Sequence, residues 1–441
     1  MTACRVWFRR ARTIGAIAFL FLLAPTAARS QDASKEDIAK AFSNAIAKGE
    51  IDCSLDKIGA VPGIFSLKPD TLDELFAVPE GVKVEKNPYF SWMTKSRHRA
   101  YFMRQPFGNL SVDLTIFGGE VPVEDATLDF VDGKLNGVSV SLFNRGDSGD
   151  IDPSEFKRRF TLAGKKMSEQ LGVRPRQRKA NPTQGLLSEG WTWISEKGMA
   201  ILEHNPEANM GRPEFLRLKI APRDAKGAFA AAFQDRAAAV RVSDLPKNVI
   251  RKGSEVLVGD IPMVDQGPKG YCVVATAQRL FEYYGIPADQ HQLAQVANAD
   301  ADSGTNPIVM AEALGKIDYR FKTRFKIIGM RTNYGFNEID ERNMTVGDRV
   351  DYKGFLKAIR DNIDDGVPLL WGLVLGMVPE EPPIALQAGG GHMRMIIGYD
   401  DKEEKVVFSD SWGAGHEKKF MTYDNAFEAT LGLFVITPTV K

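Results

Sequence analysis

The chain is 441 residues long, beyond the size at which one hydrophobic core keeps growing, so two or three domains are expected. Its 44% hydrophobic and 26% charged content is that of a globular protein. Lys and Arg together number 57 and balance 57 acids, which leaves no basic excess and argues against a nucleic-acid partner.

The N-terminus departs from this average. Arg5, Arg9, Arg10 and Arg12 precede an apolar run from Ile14 to Leu23, followed by Ala24, Thr26, Ala27 and Ala28. That is the layout of a secretory signal, assigned to residues 1–30. The run is too short to span a bilayer permanently, and the Arg9-Arg10 pair fits a twin-arginine signal poorly. No cysteine sits at the expected cleavage point, so a released, exported protein is expected, periplasmic or secreted, without a stable membrane span. Of the three cysteines, Cys4 leaves with the signal. Cys53 and Cys272 remain, and an oxidising compartment would allow them to pair.

Residues 31–222 read as an α+β domain. Ser34 caps a helix with an apolar face of Ile38, Ala41, Phe42, Ala45 and Ile46, ended by Gly49. A short helix follows Asp70. From about residue 98 to 145 the pattern alternates, near Leu110 to Phe117 and at Val138, Val140 and Leu142 against Ser139, Ser141 and Phe143. This predicts an antiparallel sheet with one face covered. Arg145-Gly146-Asp147 matches an adhesion tripeptide only at chance level. Asp152, Pro153 and Glu155 announce a helix with an aspartate cap, a proline in its first turn and a capping box; the cap accounts for Asp152 better than a calcium loop with Asp147 and Asp150 does.

The basic run Arg174, Arg176, Arg178 and Lys179 reads as a solvated loop, and further strands are expected over 190–203 and 215–220. This domain resembles no family, and its role is open between a pro-region, a docking module and an adaptor. Residues 223–254 form a connection, with an alanine-rich helix from about Asp224 to Val240. The second domain spans 255–441. In it, Asn298 to Gly304 reads as a turn between a helix near His291 and one starting at Pro307. The histidines are scattered and the two mature cysteines lie far apart, so no metal or cofactor is expected.

The chemistry concentrates in two places. In Gln266-Gly-Pro-Lys-Gly-Tyr-Cys272, a cysteine follows a glycine-containing turn and opens an apolar helical face of Val273, Ala277, Leu280, Phe281 and Tyr284, stopped by Gly285 and Pro287. A cysteine at a helix N-terminus meets unpaired N–H groups and the positive end of the dipole, so a lowered thiol pKa is expected. Such a cysteine taken alone is more often a core residue.

A thiolate needs a base, and the base needs an orienting group. Gly389-Gly-Gly-His392 leads into an apolar strand ending at Tyr399, and a polar turn returns through Lys405 to Asp410-Ser-Trp412-Gly413. A turn centred on Asp401 would set His392 directly opposite Asp410. A centre one residue later moves the pairing by two positions and keeps both side chains on one face. Asp410 is thereby placed to hold the tautomer of His392, and Trp412 to cover the pair. His98, His204, His291 and His416 have no comparable setting.

Gln266, Cys272, Gly391-His392 and Asp410-Ser-Trp-Gly413 together resemble the papain-like cysteine peptidases, and more narrowly their bacterial C39-like branch, over about residues 255–440. The resemblance implies Cys272 as nucleophile, His392 as base, Asp410 as orienting residue and Gln266 in the oxyanion hole. It implies a helical subdomain packed on an antiparallel sheet and a protein or peptide substrate. The same site would serve an acyl transferase, transglutaminase or deamidase, and a non-catalytic binding module would keep the fold. Lys269 and Val273 depart from the family pattern. Val273, where many relatives have glycine, is expected to narrow the cleft.

Overall fold

The structure is a computed structural model that describes residues 40, 43–44, 50–78, 80, 87–104, 111–181, 185–233, 240–267, 270–296, 315–316, 318–340, 345–384 and 390–440. The signal segment, most of the helix after Ser34, the turn at 298–304 and the helix at Pro307 lie outside the described residues. Among the described residues, no helix is long and apolar enough to cross a membrane.

The fold is α+β. Its first half contains β1 (Glu50–Ser54), β2 (Phe90–Trp92), β3 (Arg99–Met103), β4 (Ser111–Ile116), β5 (Val121–Pro122), β6 (Asp125–Val131), β7 (Lys134–Asn144), β8 (Arg176–Arg178), β9 (Glu189–Ser195), β10 (Gly198–His204) and β11 (Phe215–Ala221). Eight of these form one sheet in the order β2-β3-β6-β7-β11-β10-β9-β8. The strand expected near Leu110 to Phe117 is not in it: β4 pairs in parallel with β1, with β5 at its other edge, in a separate three-stranded sheet. Alternation marks a half-buried strand but says nothing about its neighbour.

The helices are α1 (Pro69–Leu75), α2 (Arg145–Ser148), α3 (Pro153–Leu171), α4 (Gly227–Phe233), α5 (Cys272–Tyr283), α6 (Gln290–Val296), α7 (Tyr352–Asp364) and α8 (Tyr423–Ala429). Asp152 caps α3 as expected, accepting from the N–H groups of Ser154 and Glu155. Glu155 does not close a capping box; its carboxylate takes Arg158 and Arg159 instead, because two guanidinium ions one turn on are stronger donors than a neutral N–H. The basic run is likewise not a solvated loop throughout. Arg178 lies on β8 and bonds the buried carboxylate of Glu203.

The second half builds one branched antiparallel sheet from β12 (Val249–Lys252), β13 (Glu255–Val258), β14 (Thr323–Thr332), β15 (Gly335–Asp340), β16 (Thr345–Arg349), β17 (Leu369–Val374), β18 (Gly391–Asp400), β19 (Lys405–Ser409), β20 (Lys419–Thr422) and β21 (Thr430–Pro438). It starts at Val249, inside the segment assigned to the connection, because β12 pairs with β13. Helices α5 and α7 pack on its central strand β18. The apolar face expected for α5 is the one it buries: Val273, Ala277, Leu280, Phe281 and Tyr284 are each no more than 4% exposed. Burying a Leu or Phe of this kind contributes about 1.5–3 kcal/mol, which fixes α5, and with it Cys272, against the sheet.

The eight-stranded sheet was expected to have one open face. That face carries a row of paired residues, Asp125, Ser141, Arg217 and Glu203, running across β6, β7, β11 and β10, and all four are buried. The second half of the chain covers them. Arg217 pairs with Asp289, His291 reaches Asp125, and the side-chain amide of Asn144 donates to the Tyr271 hydroxyl at 3.3 Å. Polar alternation can mark a face meant for another domain as well as one meant for water.

Candidate active site

Helix α5 starts at Cys272 itself, and its N-cap Tyr271 supplies no side-chain cap. The half-buried thiol therefore lies in the first turn, beside orphan N–H groups. The Thr276 hydroxyl fastens this turn to the rest of the site. It donates to the Cys272 carbonyl at 2.7 Å and lies 3.3 Å from both the Met393 carbonyl and the Ser411 hydroxyl.

His392 enters from β18, where it pairs with Leu373 of β17. It is 7% exposed, and its Nε2 lies 2.7 Å from Asp410 Oδ1. With Nε2 taken, Nδ1 is the ring nitrogen left for the thiol, and the Cys272 side chain is close enough to favour the charged imidazole. Trp412 lies over the ring, centroids 4.9 Å apart, shielding the bond to Asp410 as expected.

The hairpin has the later of the two registers considered. Met395 pairs with Ser409 and Ile396 with Phe408, and an irregularity follows before Gly398. Continued by one residue, this register sets Asp410 opposite Arg394, leaving His392 on the diagonal and on the same face. Sequence reasoning passed over Arg394. Its signal was a charge two residues beyond His392 inside an apolar strand. Arg394 is fully buried, donates from Nε to Asp410 Oδ2 at 2.8 Å, and forks onto Glu380 at 2.5 and 3.2 Å. Lys419 completes the array on Glu380. Glu380 and Lys419 carried no sequence signal.

These charges set the protonation states. Burial works against a charged His392, but the Asp410 carboxylate and the Cys272 side chain outweigh it and raise the imidazole to about 9. Burial works against a charged Asp410 as well, yet His392, Arg394 and Lys419 bring it down to about 2. The stabilisation from His392 is therefore complete below its ordinary 6.5 and lost as pH rises through about 9. That from Asp410 is complete above 3.8 and lost as pH falls through about 2.

Gln266 is buried on the irregular segment before α5. Its backbone N–H donates to the Ser411 carbonyl at 2.9 Å, so it belongs to the same assembly as Asp410. Asp265 accepts from the Gly267 N–H at 2.9 Å, and its carboxylate abuts Gly413. With φ of +78° and a Cβ that would fall 2.7 Å from Asp265 Oδ2, Gly413 is required there.

The expectation about Val273 is corrected, and the pairing left open for Cys272 is answered. Val273 does not narrow the cleft; it is 4% exposed and packs in the core of the second half, because it is the first residue of the helix's apolar face. Cys53 does not pair with Cys272. Both are free, and Cys53 is buried in β1, its thiol pushed up to about 12 by burial.

His291 also has a setting the sequence did not announce. Its Nε2 lies 3.1 Å from Asp125 and 3.3 Å from Asp147, and its Nδ1 lies 3.1 Å from Asp289. Asp125, Asp147 and His291 are a set of possible metal ligands, but an imidazole among carboxylates accounts for the same distances. The Arg145-Gly146-Asp147 tripeptide belongs to this contact. A Cβ on Gly146 would fall 2.1 Å from the Tyr271 hydroxyl.

A helix bearing a thiol, packed on an antiparallel sheet that bears a histidine and its carboxylate, is the layout of the papain-like peptidases. Residues 258–433 match the model of the Peptidase_C39 like family, and this part of the chain is a C39-like, papain-like peptidase domain. Among solved structures the chain is similar to xylellain, a cysteine protease from Xylella fastidiosa. That likeness is 16% identity over 46% of this chain and 91% of that one, with a TM-score of 0.27. No curated protein matches the chain.

Proposed function

We propose that the protein is an exported cysteine peptidase that hydrolyses peptide bonds with Cys272, His392, Asp410 and Gln266. The observation that carries this reading is the 2.7 Å bond between His392 and Asp410, with Cys272 at the first turn of its helix and close enough to favour the charged imidazole. The Cys272 thiolate, paired with protonated His392, attacks the scissile carbonyl carbon. The carbonyl electron pair moves onto oxygen, where the Cys272 N–H and the Gln266 side chain stabilise it. The C–N bond then breaks as His392 gives its proton to the leaving amine. Neutral His392 next takes a proton from the water that attacks the thioester, and release of the acid restores the ion pair. Export rests on the arginines and apolar run of residues 1–30.

Iodoacetamide at mildly acidic pH tests the site, with Cys53 as an internal control because its buried thiol is held protonated. Rapid alkylation of Cys272 alone is expected, and it should slow to the rate of an ordinary thiol in His392→Ala. Equal labelling of both cysteines, or a rate indifferent to His392, would refute the activated thiolate.

The pH profile offers a second check. Activity needs protonated His392 beside the thiolate, so kcat/KM should fall above about pH 9. In Asp410→Asn the carboxylate that raises His392 is gone while burial still lowers it, so this alkaline limb should move to lower pH. A limb that stays in place would show that Asp410 does not set the charge of His392.

A further inference from the structure

Resting on the peptidase reading above, we propose that the N-terminal domain is a permanent support for the oxyanion loop, with Arg99 as the positioning residue through which it acts.

Gln266 sits on a segment without regular structure between β13 and α5. An irregular loop keeps its shape only through specific bonds to rigid elements. Two arginines, Arg279 fully buried and Arg99 with its side chain 14% exposed, grip successive carbonyls a few residues before Gln266. From α5, Arg279 Nε donates to the Pro262 carbonyl at 2.8 Å. From β3 of the other half of the chain, Arg99 Nη1 donates to the Met263 carbonyl at 3.0 Å.

Arg99 is aimed before the two halves meet. It pairs across strands with Asp129 on β6, and the two side chains are joined by a forked ion pair. Its Nη2 also reaches Glu282 on α5 at 2.8 Å. One guanidinium therefore ties the N-terminal sheet to the loop of Gln266 and to the helix of Cys272. Met263 itself is buried with Met93 and Tyr101 of the N-terminal half.

The far end of the loop is held from the same side. Tyr271, next to Cys272, is fully buried, accepts from Asn144, and closes on the one residue without a Cβ, Gly146. The N-terminal half thus grips the chain at Met263, three residues before Gln266, and at Tyr271, one residue before Cys272. A removable inhibitory pro-region would leave the catalytic loop complete without it. Here half the grip on the carbonyls before Gln266 would leave with the domain.

The test uses the full chain and a fluorogenic peptide amide that the wild type cleaves and Cys272→Ala does not. Arg99→Lys keeps the charge facing Asp129 and Glu282 but loses the fork that also spans to Met263. It is expected to lower kcat by about 10- to 100-fold, the scale of a misplaced oxyanion donor, with KM within about 3-fold. The iodoacetamide rate at Cys272 should not change, because alkylation develops no oxyanion. Adding Gln266→Ala to Arg99→Lys should cause no loss beyond that of Gln266→Ala alone.

Asp129→Asn, which leaves Arg99 in place but loosens its aim, should give the same pattern at smaller amplitude. A wild-type kcat in Arg99→Lys, multiplicative losses with Gln266→Ala, or a loss matched by an equal fall in alkylation rate would overturn the role of Arg99. A wild type no more active than Cys272→Ala would instead overturn the peptidase reading, and Arg99's role with it.

Discussion

Cys272→Ala is expected to abolish peptide hydrolysis, lowering kcat by at least about 10⁴-fold, while leaving the fold intact. Both halves of this expectation follow from position. The thiol is half-buried in the first turn of α5, and the apolar face that anchors the helix begins one residue later at Val273. Alanine is a good helix former and keeps the Cβ, so the thermal midpoint should move little. Alanine removes the only group on the helix able to form the thioester. Cleavage of a casein substrate, followed with the thermal midpoint, checks both. Residual activity above about 1% in a correctly folded variant would sink the covalent mechanism.

The second large effect is expected on stability. Arg394→Met should lower the unfolding free energy by about 3–5 kcal/mol. Arg394 has no exposed surface, and its guanidinium bonds both the Asp410 carboxylate and that of Glu380. Methionine fills much of its volume but takes one counter-charge from each of two buried carboxylates, leaving Asp410 with His392 and the charge of Lys419, and Glu380 with Lys419. Adding Glu380→Gln removes one of those charges and should recover part of the loss. Urea denaturation of the wild type, the single variant and the double variant gives the comparison. An Arg394→Met midpoint equal to the wild type would mean that the array is not what holds Asp410 in place.

The papain-like half was largely legible because its chemistry sits at element boundaries. Cys272 opens a helix whose spacing is periodic and whose end is marked by Gly285, and His392 and Asp410 lie on a hairpin whose turn narrows the register to two choices. What the sequence lacked was the bulge before Gly398 and the identity of the residue opposite Asp410. Both depend on how β18 is shared among β13, β17 and β19.

The N-terminal half was legible as strands and helices but not as an assembly. Its alternation described a sheet with one polar face, and polar alternation carries no mark distinguishing water from a second domain. Likewise β4 alternates like its neighbours but pairs in parallel with β1.

For the site, sequence alone determined which groups the proposed reaction uses: a cysteine at a helix start, a histidine and an aspartate on one face of a hairpin, and a glutamine just upstream. Local periodicity and turn chemistry suffice for that, because they act over a few residues. Only the tertiary structure decided what surrounds those groups. It placed Arg394, Glu380 and Lys419 behind Asp410, buried Val273 and Tyr271, and set Arg99 from a distant strand on the Met263 carbonyl, three residues before Gln266. A buried charge must find its counter-charge wherever the fold supplies one, and that partner has no fixed spacing in sequence.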